Sequence, residues 1–500
     1  MLETGTLWIY KKRRSIPKTR ILRSIPCSFS QSITGFIIYI VIALDYHSKI
    51  ILQSLVNYRY YCYSYVKKKP LAKSIKTLLT DKYFLLFIGI FLVGLYLRFY
   101  NIQFAHSYNW DQARESWTTR DIVHGQLILA GPSTGVSRMH IGPLYYYLLA
   151  PFFSLSHFDP IAIDYFNFLA HFINIALFYF VTRKLFGRKE AVLAIAIYAL
   201  SHYLIGFDQT PWNVTLIPGI AAMIFYSLVQ IVIREKYRWL FLLWTLSGLA
   251  FHFHFTAIFF PAINIISLLF VKDKKQYLKY SLLSLPLYLV WFIPNILLFI
   301  NPQGDSHQVK DFLNSYLLHP HPKMFLYRLP VAFTMFDLIL AFALGPLSFL
   351  KYFIPALFAG LIIFKEKKRE EKILAGLMAI WFIIPYISFS IYSGPITDYY
   401  FVFQAPLVIY MMLYLVRKLF AVHKQYAIVA LVILLLGYTY INTKDLWIKP
   451  TSGGYMKQRD EAWQRFKAGD IIPFQEGVIG SYLHAVWRED KSAFPEKVDK

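Results

Sequence analysis

Cysteine is almost absent: the 500 residues include two, Cys27 and Cys62, too few for a disulfide framework. Neither has a second Cys or a His nearby at metal-ligand spacing, so both read as structural or incidental. Acidic residues are also scarce, 28 Asp and Glu against 52 Lys and Arg, and charged residues in total reach only 16%. The resulting charge of +24 would suit nucleic acid if the basic residues lay on one surface. They fall instead in short clusters between apolar runs, so no nucleic-acid partner is expected. There is no signal-peptide cleavage pattern and no internal repeat. What is plentiful is apolar: 57% hydrophobic and 19% aromatic, where a soluble domain holds about 45–50% apolar residues. The chain therefore reads as an all-α, multi-pass membrane protein in contact with membrane lipids.

A helix that crosses the roughly 30 Å hydrocarbon layer needs about 20 apolar residues at about 1.5 Å each. Runs approaching that length predict eleven spans near 82–99, 160–182, 190–207, 213–233, 238–253, 254–271, 278–300, 345–364, 373–392, 401–418 and 425–441. Basic clusters at Lys67 to Lys69, Arg183 to Lys189, Arg234 to Arg238, Lys272 to Lys275, Lys365 to Lys372 and Arg417-Lys418 place their loops in the cytoplasm. Segments 100–141, 208–212, 301–329 and 393–400 are then expected outside, with the tail. Two further apolar stretches, 142–156 and 330–344, would invert this alternation if they crossed, so they are expected to be interfacial or re-entrant helices.

Three regions follow. Residues 1–80 are basic and contain no methionine between Met1 and Met139. They read as a cytoplasmic arm or as sequence upstream of the natural start, with an amphipathic membrane-surface segment as the alternative. Residues 81–445 form the transmembrane domain. Residues 446–500, with Trp463, Trp487 and balanced charge, read as a short outer tail, either a small cap on the site or part of a larger domain.

Charge at a membrane edge is costly, so acidic residues in outer loops are the first candidates for chemistry. The first outer loop contains Asn109-Trp110-Asp111-Gln112-Ala113-Arg114-Glu115. Asp111 and Glu115 are four apart, which puts both carboxylates on one face of a helix, with Arg114 beside them. A carboxylate there can take a proton from an acceptor hydroxyl; a solvated, charged loop helix is the competing reading. The same loop ends in Arg138, Met139, His140 and then Gly142-Pro143-Leu144-Tyr145-Tyr146, a helix break followed by aromatics suited to the membrane interface. The third outer segment holds Asp305, His307, Asp311, His319 and His321; its prolines force extended backbone and its spacing fits no common ligand set, so it reads as a solvated loop. Asp164 and Asp337 sit in or near apolar runs and are expected to pair with neighbouring helices.

The order of these features resembles the GT-C glycosyltransferases, in particular family 39 relatives: the protein O-mannosyltransferases, the lipid A aminoarabinose transferases and the bacterial Rgt-like transferases. Gly142-Pro143-Leu144-Tyr145-Tyr146 stands where the family usually has Pro-Pro-Leu-Tyr-Tyr. Thr210 to Pro218, Gly248 to Thr256 and Asp398 to Pro406 resemble its later motifs. The likeness covers roughly residues 80–445 and implies a GT-C-like bundle of about eleven transmembrane helices, with interfacial helices in the first outer loop. It also implies inverting transfer of one hexose or pentose from a polyprenyl-phosphate-linked donor to a glycan, lipid or protein acceptor at the outer face of a cell membrane.

On this resemblance Asp111 is the catalytic base and His254 faces the lipid phosphate; Glu115, Arg114, Arg138, His140, Tyr145 and Tyr399 are the further candidates for binding substrate. Asp208 matches the place where certain members carry a second carboxylate that holds a divalent metal with Asp111; no other cofactor is implied. Two departures stand out: His254 replaces the family's phosphate-binding Lys, and Asp398 and Tyr399 stand where a cation is expected. His252 and His254 are two apart and cannot both face the site from one helix. His254 is the expected ligand and His252 a hydrogen-bonded core residue. A transporter or flippase is the main rival, since many spans with a few charges also describe carriers, although carrier sites tend to lie at mid-membrane on broken helices. A pseudoenzyme scaffold is the third reading.

Overall fold

Long apolar runs with small residues at their crossings shape the helices of the computed structural model. It describes residues 80–133 apart from 101, 139–300, 368–423 apart from 393 and 395, 454–495 apart from 474, and short pieces between 333 and 360 and between 425 and 440. Nearly all of the 1–80 arm, Arg138, Asp337, the third outer segment and most of the expected spans 345–364 and 425–441 lie outside the described residues. Residues 85–500 cluster as one unit, and the architecture below is that unit's.

The regular structure is helical. In chain order the helices are α1 Lys82–Phe99, α2 Ile102–Ala105, α3 Trp110–Val123, α4 Leu144–Leu155, α5 Ala162–Leu185, α6 Arg188–Leu200, α7 His202–Gln209 and α8 Ile217–Val232. They continue with α9 Trp239–Ala250, α10 Phe259–Ile266, α11 Lys274–Leu289, α12 Ile293–Ile300, α13 Arg369–Ile391, α14 Ala405–Val422, α15 Gly454–Lys467 and α16 Val478–Glu489. Among the described residues there is no strand, and an isolated antiparallel bridge joins Ser133 to His140.

Six of the helical stretches described are long and apolar enough to cross a membrane, and a seventh is added if α6 and α7 form one span. That pair is bent by 60°, because Ser201 between them is extended and its hydroxyl accepts the Leu204 N–H, starting a new helix. The expected spans 238–253 and 254–271 take the form of shorter apolar helical stretches, Trp239–Ala250 and Phe255–Phe270, separated by a turn that carries His252 and His254. The stretch 142–156, expected at the interface, contains the short apolar helix α4.

Packing in a bilayer relies on close approach and internal hydrogen bonds rather than on expelling water. Gly219 of α8 abuts Asn174 of α5, whose Oδ1 accepts the Gly219 N–H at 3.2 Å while its Nδ2 donates to the Thr215 carbonyl at 2.6 Å. Gly94 of α1 faces Ala199 of α6, and a Cβ added there would lie 2.7 Å from the Ala199 Cβ. The stretch Asn213–Val232 that contains α8 is 89% buried by protein, against 6% for Lys274–Ile300; among the described residues α8 is therefore central and α11–α12 peripheral. The tail helices α15 and α16 pack on each other and on α2 and α3.

Candidate functional site

Asn109 caps α3 in a reciprocal box: its side chain accepts the Asp111 N–H at 3.0 Å, and the Gln112 Oε1 accepts the Asn109 N–H at 3.0 Å. This fixes Asp111 at the second position of the helix, where the positive end of the helix dipole favours a carboxylate. The Asp111 side chain is 61% exposed, and its Oδ1 lies 3.0 Å from Arg114 Nη1. Arg114, one third exposed, donates from Nε to the Tyr146 hydroxyl at 3.2 Å, and its Nη1 reaches Ser133 Oγ at 3.4 Å. Glu115 is fully buried; its Oε2 accepts the Tyr145 hydroxyl at 3.1 Å while its Oε1 has no partner. Burial pushes the Glu115 carboxyl up to about 8; the Arg114 charge and the Tyr145 hydrogen bond pull the other way, while the Asp111 charge adds to the rise.

From α3 the site continues across the bundle. The Gln112 Nε2 donates to the Pro211 carbonyl at 2.5 Å, and the adjoining Trp212 ring lies 4.7 Å from that of Tyr399. The His254 ring sits 5.5 Å from Tyr399 and 5.4 Å from Tyr400. Asp111 lies within electrostatic reach of the Tyr399 phenol. A carboxylate, a guanidinium and an aromatic wall formed by Trp212, Tyr399, Tyr400 and His254 therefore belong to one connected region. Such a set can accept a proton, face an anion and stack against a sugar ring.

The two histidines lie in a turn rather than in a helix, and both are buried. His252 is buried, its Nδ1 accepting the Leu144 N–H at 3.2 Å and its Nε2 lying 2.8 Å from the Trp291 carbonyl; this bonding pattern is that of the neutral Nε2–H tautomer. His254 is buried too, with Nδ1 2.8 Å from Thr256 Oγ1. His140 enters through its main chain, whose carbonyl accepts from Asn295 Nδ2 at 2.9 Å. Gly142 packs face-on to His252, and a Cβ there would collide with the imidazole.

Asp208, the second carboxylate that the resemblance associates with a metal, is buried inside the bundle. Its Oδ2 lies 2.5 Å from Arg98 Nε, and the His171 Nδ1 is 3.3 Å from its Oδ1. Arg98 also donates to the carbonyls of Gly94 at 3.1 Å, Ala199 at 2.8 Å and Tyr198 at 3.1 Å. A guanidinium already stands where a cation would neutralise Asp208, and no group of three or more His, Cys, Asp or Glu among the described residues is placed to hold an ion. These residues do not fit a divalent metal. Tyr146, Gln112, Trp212 and Tyr400 were not singled out from the sequence. Each lies within a quoted motif, but nothing in the spacing said which of its residues would turn inward.

Residues 140–298 match the model of the family described as Dolichyl-phosphate-mannose-protein mannosyltransferase. Among solved structures the fold is similar to ArnT from Cupriavidus metallidurans bound to undecaprenyl phosphate, at 13% identity and a TM-score of 0.51, over 81% of this chain and 76% of that one. It is also similar to an oligosaccharyltransferase from Archaeoglobus fulgidus solved with zinc and sulfate, at 12% identity and a TM-score of 0.48, over 76% of this chain and 55% of that one. No curated protein matches the sequence. The likeness to ArnT shows a GT-C-like fold, and the long apolar helices agree with a multi-pass membrane protein. The segment that runs from His140 to α12 is similar to the mannosyltransferase family.

Proposed function

We propose that the chain transfers a single sugar from a polyprenyl-phosphate-linked donor to an acceptor hydroxyl at the extracytoplasmic membrane face, with Asp111 as general base. The observation that carries this reading is the pairing of an exposed Asp111 carboxylate with Arg114 at 3.0 Å, on a helix whose next turn is sealed against Tyr145. In the reaction the acceptor oxygen attacks the anomeric carbon as its proton passes to Asp111. The bond from that carbon to the phosphate oxygen breaks, and the electron pair leaves with the lipid phosphate, so the anomeric centre inverts.

The leaving phosphate develops negative charge and needs donors aimed at it. Arg114 supplies them in place of the family's missing cations: it is part-exposed, and its Nε is oriented by the Tyr146 hydroxyl. His254, Tyr399 and Trp212 form the wall on which the sugar or the head of the lipid rests. ArnT, solved with undecaprenyl phosphate, supports a polyprenyl carrier here. No step is routed through a metal.

The test is Asp111→Asn in purified protein given a radiolabelled polyprenyl-phosphate sugar and its acceptor. Asn cannot take the proton, so turnover should fall by about 100-fold or more while the folded yield is retained. Undiminished turnover would remove Asp111 from the mechanism, and uptake of free labelled solute into vesicles holding only this protein would favour a carrier.

A further inference from the structure

The last two α-helices described, α15 and α16, lie against the segment that presents Asp111, and the contact at Tyr108 is built from one face of α15. Tyr455, Gln458 and Arg459 stand at i, i+3 and i+4 and so project together. The Tyr455 ring stacks on that of Tyr108 at 4.4 Å, and its hydroxyl bonds the Asp159 carboxylate. Arg459 Nη1 lies 3.2 Å from the other oxygen of Asp159, both residues being buried. Gln458 grips the backbone: its Oε1 accepts the Tyr108 N–H at 2.7 Å and its Nε2 donates to the Tyr108 carbonyl at 2.9 Å.

A carboxamide offers the same acceptor and donor as a peptide unit, so Gln458 satisfies both main-chain groups of Tyr108 as a neighbouring strand would. Tyr108 directly precedes Asn109, the cap of α3, and lies three residues before Asp111. Further along α3, Trp117 meets Tyr482 edge-on at 5.0 Å and Arg120 pairs with Glu489 of α16. Gly454, with φ +72°, opens α15, and a Cβ there would collide with the backbone of Phe104; the approach needs that glycine.

We infer that Gln458 is a positioning residue for Asp111: by holding both backbone groups of Tyr108 it fixes where the chain turns into α3, and so where the carboxylate stands against the acceptor. This rests on the reading of Asp111 as base and adds a part of the chain that neither the 140–298 match nor the motifs assign to the site.

The experiment uses the full chain in nanodiscs, with Gln458→Leu and Gln458→Glu. The Gln458→Glu change keeps an acceptor for the Tyr108 N–H and loses the donor to its carbonyl, so it is the milder of the two. In Gln458→Leu, loss of the two hydrogen bonds should speed amide exchange across 108–113 about tenfold or more, with exchange in α8 unchanged. Turnover should fall about 10- to 100-fold as the base is displaced, while the apparent KM for the lipid donor stays within about twofold. Gln458→Glu should lie between wild type and Gln458→Leu on both readouts. Unchanged exchange across 108–113 would overturn the inference. So would an equal acceleration in α8, or a turnover and KM both at wild-type values. If the wild-type protein transfers no sugar, the reading of Asp111 as base falls, and the exchange comparison still decides whether Gln458 fixes the segment.

Discussion

Asp111 and Glu115 stand one helical turn apart on α3, yet one carboxylate is mostly in solvent and the other is sealed. Their spacing, visible in the sequence, puts them on a common face, but Tyr145 of α4 closes over Glu115 and leaves Asp111 open, so that face passes from exposed to buried within one turn. Glu115 consequently favours its neutral form, with burial as the leading cause. The sign of the stability effect follows. The ordinary value of 4.5 is raised to about 8 in the folded protein, so between these values the folded state holds a proton that the unfolded chain has released. The contribution is fully present below about 4.5, declines as pH rises, and is lost through about 8. Glu115→Gln keeps the size and the neutral state. Its melting temperature in detergent should vary less with pH across that window than that of wild type, and parallel curves for the two proteins would refute the assignment.

At the scale of elements, the turns are set by contacts that only the fold brings together. The Gly142-Pro143 pair marked a helix break in the sequence, and α4 does begin directly after Pro143. The sequence did not reveal why glycine stands where the family usually has a first proline. Gly142 lies against the His252 ring, which in turn bridges Leu144 N–H and the Trp291 carbonyl, so a side chain at 142 and an imidazole at 252 compete for the same space. Gly142→Ala should destabilise by about 1–3 kcal/mol, the usual cost of overpacking. His252→Ala should cost about 1–3 kcal/mol by leaving two part-buried backbone groups unpaired. The double variant should lose less than the sum of the two, and strict additivity in a double-mutant cycle would show that the collision is relieved elsewhere. The long spans were legible because a continuous apolar run needs no partner to identify it. The break at 251–254 falls at the expected boundary between spans 238–253 and 254–271, whereas the one at Ser201 was not legible, since it depends on a capping contact rather than on a change in hydropathy.

Across the whole molecule, the least legible feature is the one that ties distant spans together. Arg98 falls inside the expected span 82–99 and Asp208 in an expected outer loop, 110 positions away, and nothing in the sequence pattern predicts that they meet. In the fold both are sealed, and Arg98 spends its remaining donors on the carbonyls of Gly94, Tyr198 and Ala199, so it joins α1 to α6 and α7. Asp208 fits a structural partner of Arg98 better than a metal ligand: a divalent ion beside Asp208 would have to displace a guanidinium that no other described acid is placed to neutralise. Arg98→Met would leave the carboxylate buried without its cation and should cost about 3–5 kcal/mol, the range for breaking one side of a buried pair. Adding Asp208→Asn to that variant should restore part of the loss, because a neutral amide no longer needs the charge, although the three carbonyls remain unanswered. Thermal unfolding of the single and double variants in one detergent measures both effects. Chelator added to the wild-type protein should leave transfer unchanged; a double variant no more stable than Arg98→Met, or transfer abolished by chelator and restored by a divalent ion, would show that Asp208 answers to something other than Arg98.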